Sequence, residues 1–84
     1  MENFPNLKAG QVALLRAEYN TGIVLDEKFK RATKEEQKAY TIYNDVNDAI
    51  LAAQSIIVER KDIECAIFDQ NNTFIRRIEP IPKP

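Results

Sequence analysis

Only one stretch of this chain has the periodicity of a long amphipathic helix, and the rest of the fold has to be built around it. Val46, Ala49, Ile50, Ala53, Ile56 and Ile57 recur at spacings of three and four, while Asn47, Asp48, Gln54, Glu59 and Arg60 fall largely away from that stripe. Asn44 or Asp45 is placed to cap its start. Asp45 and Asp48 stand near the positive end of the helix dipole, and Arg60 and Lys61 near the negative end. The small Ala49, Ala52 and Ala53 let such a helix lie close against a sheet. One helix with one apolar stripe needs a single surface to cover, and the remaining apolar runs have the length and residue types of strands.

Residues 11–19 are apolar, follow Gly10 and run into Asn20-Thr21-Gly22, whose Asn and Gly tolerate the positive φ of a tight turn. With Ile23-Val24-Leu25 they read as a hairpin. Helix is the competing reading of 11–19, because Val12, Leu15 and Tyr19 also fit a helical stripe and Ala13, Leu14 and Ala17 are good helix formers. Residues 26–39 are a polar connection in which Thr33 and Glu36 have capping-box spacing for a short helical turn. Tyr40-Thr41-Ile42-Tyr43 reads as a strand from its aromatic and β-branched residues. After the helix, 63–68 and 73–78 form a second hairpin about the turn Asp69-Gln70-Asn71-Asn72. In the first of these strands Ile63, Cys65 and Ile67 alternate toward the helix, with Glu64, Ala66 and Phe68 on the other face. Pro80, Pro82 and Pro84 end the sheet and favour an extended tail over 80–84. The expected fold is α+β: a small, antiparallel-rich ββ-βαββ sheet with its one main helix packed on one face.

Eighty-four residues without a Gly/Ser-rich linker make one domain spanning 1–84, with residues 1–9 as an N-terminal arm. A core this small supplies a margin of only about 3–5 kcal/mol. Cys65 is the sole cysteine, so no intrachain disulfide adds to it, and oligomerisation is the expected supplement. The hydrophobic fraction of 44% and charged fraction of 30% are those of a folded globular chain. Glu2 stands where a signal peptide carries bases, and no apolar run approaches the roughly 18 residues of a membrane span, so the expected location is the cytoplasm, with no membrane partner. A net charge of −1 creates no overall field toward nucleic acid or anionic lipid.

The chain contains no histidine, which removes serine-protease-type triads, His-ligated zinc and the commonest general base near neutral pH. Cys65 lies mid-strand among Ile63, Ala66 and Ile67, the setting of an inert core thiol. Asp26-Glu27, Glu35-Glu36 and Asp45 with Asp48 are sequence neighbours, which solvated charge and capping account for without acid–base chemistry. The turn at 69–72 lacks the Gly and terminal Glu of a calcium loop, and with only Gly10 and Gly22 no phosphate-binding loop can be written. The expectation is a protein without cofactor or metal, and not an enzyme.

Two partner readings follow. The second sheet face has no helix to cover it, and some of Tyr43, Phe68, Phe74 and Ile78 fall on it as a candidate interface for a second copy or another protein. An immunity or inhibitor protein acting by surface complementarity belongs to the same class. The alternative is a nucleic-acid-associated accessory protein using the basic segment 28–34, in which Lys28, Lys30, Arg31 and Lys34 track phosphates and Phe29 stacks a base. Asp26, Glu27, Glu35 and Glu36 flank that segment and oppose its charge.

Overall fold

A computed structural model describes residues 3–80. Its elements are β1 (Val12–Glu18), β2 (Val24–Leu25), β3 (Tyr40–Tyr43), α1 (Val46–Glu59), β4 (Ile63–Phe68) and β5 (Phe74–Ile78). They form a five-stranded sheet with α1 packed on one face, an α+β fold in which every strand pairing is antiparallel. The path is β2-β1-β4-β5, with β3 also paired to β1.

Residues 11–19 resolve as strand over Val12–Glu18, against the helical alternative. β1 is the central strand: β4 pairs along one edge, β2 and β3 along the other. Apolar residues are buried on both of its faces, Val12 and Leu14 on one and Ala13 on the other, so no alternation marks it as a strand. Along the outer edge Leu25 pairs Arg16 and Tyr40 pairs Leu15. Thus β2 and β3 are two halves of one edge strand, and residues 26–39 leave and rejoin the sheet at neighbouring register positions, in the manner of an Ω-loop.

The helix begins where the capping chemistry directs it. The Asp45 side chain accepts from the Asp48 amide at 2.8 Å, satisfying one of the orphan donors of the first turn. Ala49, Ala53 and Ile57 are buried against the sheet, joined by Val46, Ile50 and Ile56 at the margins. Beneath them lie Val12, Leu14, Ile63, Cys65 and Ile67, so β4 presents to the helix the three residues its alternation assigns there. The 69–72 turn is closed by Asp69, whose Oδ1 accepts from the Asn71 and Thr73 amides at 2.8 and 3.0 Å. Of the proline-rich tail only Pro80 is among the described residues, where it is buried; 81–84 lie outside them.

Candidate functional site

The face of the sheet away from α1 follows from the register. Partners in an antiparallel ladder point to the same side, so Ile42, Ala13, Phe68 and Phe74 form one cross-strand row over β3, β1, β4 and β5. The next row is Tyr40, Leu15, Ala66 and Arg77. Beyond it Ala17 pairs Glu64, and the face turns polar. There Arg77 holds Glu64 through two contacts of 2.8 and 3.0 Å and reaches Glu79 at 3.3 Å. This side therefore has an apolar end and an ion-paired end.

Of the four residues expected to supply this face, two do. Phe68 and Phe74 pair on it, with ring centroids 6.0 Å apart. Tyr43 and Ile78 instead pair with Val12 and Cys65 and pack into the core beneath α1. The reason for Ile78 is a bulge: the register shifts between Ile67 and Phe68, where Ile75 is the additional residue of β5. Tyr43 is on the helix side because β3 starts at Tyr40 with its ring on the open face, and side chains alternate from there.

Sequence reasoning passed over the residue at the centre of this face. Phe4, from the N-terminal arm, packs edge-on against Tyr40 at 5.3 Å and Phe68 at 6.3 Å between centroids. The arm then enters β1 through a turn in which the Gln11 amide donates to the Lys8 carbonyl and Gly10 has φ of +85°. Ile42 and Phe74, at the two ends of the apolar row, stay 46% and 54% exposed, and Ile75, next to Phe74 on β5, 42%. The available signal was Phe4-Pro5, an aromatic fixed ahead of a proline in an otherwise polar arm.

The basic segment is placed quite differently. The 26–39 loop folds to the helix side of the sheet, and Arg16, 3% exposed, fastens its base. Arg16 Nε donates to the Asp26 carbonyl at 3.2 Å, one terminal nitrogen to the Ala39 carbonyl at 3.0 Å and the other to Thr41 Oγ1 at 2.8 Å. Inside the loop Asp26 Oδ1 accepts from the Lys28 and Lys30 amides. Gln37 bridges the rest: its oxygen accepts from the Thr33 and Lys34 amides, and its nitrogen donates to Asp26 Oδ2 and the Arg31 carbonyl. The Gln37 backbone amide donates to the Lys34 carbonyl at 3.2 Å, so a single turn does follow Thr33, closed by the side chain of Gln37 rather than that of Glu36. The bond from Gln37 and the amides of Lys30 and Lys28 hold the Asp26 carboxyl below its ordinary pKa.

Within that loop Phe29, at φ of +63°, packs against the core with the Arg60 guanidinium 5.3 Å from its ring centre. Arg31 is paired with Glu18 at 3.0 Å. Lys28, Lys30 and Lys34 form no ion pair within 4.0 Å among the described residues. The five residues of the segment thus divide into a packed ring, a paired guanidinium and three solvated lysines. Burial pushes the Cys65 thiol up to about 11, partly opposed by the charge of Arg16. Among the described residues no three acidic or cysteine side chains converge as a metal ligand set, and no helix is long and apolar enough to cross a membrane.

The fold and this face define a helix-backed antiparallel sheet with an apolar, aromatic open side. No family model, curated protein or solved structure matches the chain.

Proposed function

We propose that the protein is a small, non-enzymatic protein-interaction module that associates with a second copy of itself through the open face of its sheet. One observation carries the reading: the row Ile42, Ala13, Phe68 and Phe74 is apolar across four strands, and its two ends are about half exposed. Exposed apolar side chains scattered singly need no explanation, but a contiguous apolar row with an ion-paired region on one side of it resembles an interface core meeting part of a polar rim. Self-association suits it because a two-fold interface needs one self-complementary patch, and an uncharged row meets its own copy without repulsion. A chain of this size without a disulfide also gains most from the extra burial.

Light scattering on a size-exclusion column across a concentration series tests this. The expected result is a dimer for the natural protein and a monomer for Phe74→Glu, with unchanged far-UV circular dichroism because Phe74 is more than half exposed. Identical mass and thermal stability for the two proteins would remove the open face as the interface. The nucleic-acid reading has weaker support, since Phe29 and Arg31 are engaged within the fold and three lysines remain for phosphates. It predicts binding to single-stranded DNA or RNA at low salt that falls steeply with ionic strength, and a flat titration ends it.

A further inference from the structure

Phe4 fills the middle of the apolar row and leaves both ends uncovered, so the arm divides a surface that a partner would otherwise meet whole. Whatever docks on Ile42 and Phe74 has to span the arm or take its place. The seat itself states what fits it: an aromatic followed by proline, held edge-on between Tyr40 and Phe68. A second copy of the chain carries that same segment. We infer that the open-face dimer is arm-exchanged, with Phe4 of each copy seated between Tyr40 and Phe68 of the other. The inference rests on the reading of this face as a homodimer interface and goes on to specify what occupies it.

The energetics of exchange follow from symmetry. Each seat holds one Phe4 before and after, so the ring contacts cancel, and the net gain comes from covering Ile42, Phe74 and Ile75 between the copies. The connection permits it. Among residues 3–8 no helix or strand is formed, and the arm joins β1 at the Lys8–Gln11 turn, where Gly10 at φ of +85° occupies a backbone region that few other residues tolerate. A change of direction at that turn redirects the arm without disturbing β1. Gln11, on the sheet side of the turn, keeps its side-chain bond to Asn44 at 3.3 Å and so holds the start of β1 in register.

Two variants separate exchange from its alternatives. Phe4→Ala removes the ring but keeps the seat, and Tyr40→Ala removes part of the seat but keeps the arm. Each variant loses the same ring contact in the monomer as in the exchanged dimer, so each alone should associate within a few-fold of the natural protein. In an equimolar mixture the mixed dimer should form about tenfold or more tighter than either variant's own dimer, because it joins one intact arm to one intact seat, a contact that neither variant monomer has. Phe4→Tyr, which retains the ring, should dimerise as the natural protein does, and far-UV circular dichroism verifies that each variant folds. If Phe74→Glu breaks the dimer but the mixed dimer is no tighter than the two variants' own dimers, the open face is the interface and exchange is wrong. Tighter association of Phe4→Ala would also overturn exchange, by making the arm a competitor of the partner. A natural protein that stays monomeric at every concentration removes the dimer reading and exchange with it.

Discussion

Arg16 brings a charge into the helix side of the sheet and spends its donors on neutral oxygens at the two ends of the 26–39 loop. Burial lowers its pKa from the ordinary value, but a guanidinium remains charged throughout the accessible range. Its contribution is therefore geometric: three fixed donors that close the base of a loop whose length would otherwise leave it loose. Arg16→Met keeps the apolar stem and removes the donors. The expected loss is about 2–4 kcal/mol in urea unfolding. Amide exchange should accelerate first at Asp26 and Ala32, whose N–H groups bond within the loop and to β2. Unchanged stability together with unchanged exchange would mean that Asp26 and Gln37 hold the loop alone. Cys65 gives a second prediction at this scale. With its thiol raised from 9.0 to about 11 in the folded protein, the unfolded chain loses its proton first. The thiol thus favours the folded state fully below pH 9, and its contribution is lost as pH rises toward 11. At pH 8 a disulfide reagent should label Cys65 slowly in the native protein and rapidly in denaturant; rapid native labelling would place the thiol within reach of solvent.

At the scale of elements, the helix shows what a local signal can specify. Asp45 caps it through the Asp48 amide, so Asp45→Ala should cost about 1 kcal/mol and Asp45→Asn much less, read from denaturant midpoints. Equal losses for the two would mean that charge at the helix terminus, rather than the hydrogen bond, is what Asp45 contributes. The helix and β4 were legible because each has one buried face, so period and burial coincide: Ala49, Ala53 and Ile57 on one, Ile63, Cys65 and Ile67 on the other. β1 was ambiguous because it is buried on both faces and carries Arg16 among its apolar residues, so neither period emerges. Phe74 kept its expected face, whereas a one-residue bulge at Ile75 determines where Arg76, Arg77 and Ile78 point, and no spacing in Phe-Ile-Arg-Arg-Ile announces it. The loop's order was hidden for a different reason. Gln37 and Arg16 bond groups far along the chain or across the sheet, and a polar segment stabilised by such bonds has the same composition as a solvated one.

For the whole molecule the two sides of the sheet are unequally finished. The helix side is closed by α1 together with the 26–39 loop, whose Phe29 extends the core cluster toward Arg60. On the open side Phe4 packs over Tyr40 and Phe68, and the ion-paired region around Arg77, Glu64 and Glu79 limits the apolar surface in one direction. Exposed pairs of this kind contribute little to stability, so they serve better as a polar border than as a source of folding energy. If two copies complete the open side for each other, folding and association are linked, and thermal stability depends on protein concentration through mass action. The midpoint of the natural protein should then rise steadily as its concentration is raised from about 1 to 100 times the dimer Kd. In Phe74→Glu the midpoint should be lower and flat over the same range, because the carboxylate would be buried against an apolar copy and association is abandoned. A concentration-independent midpoint for the natural protein, with the mass of a monomer, would show instead that Phe4 alone suffices to cover this face in solution.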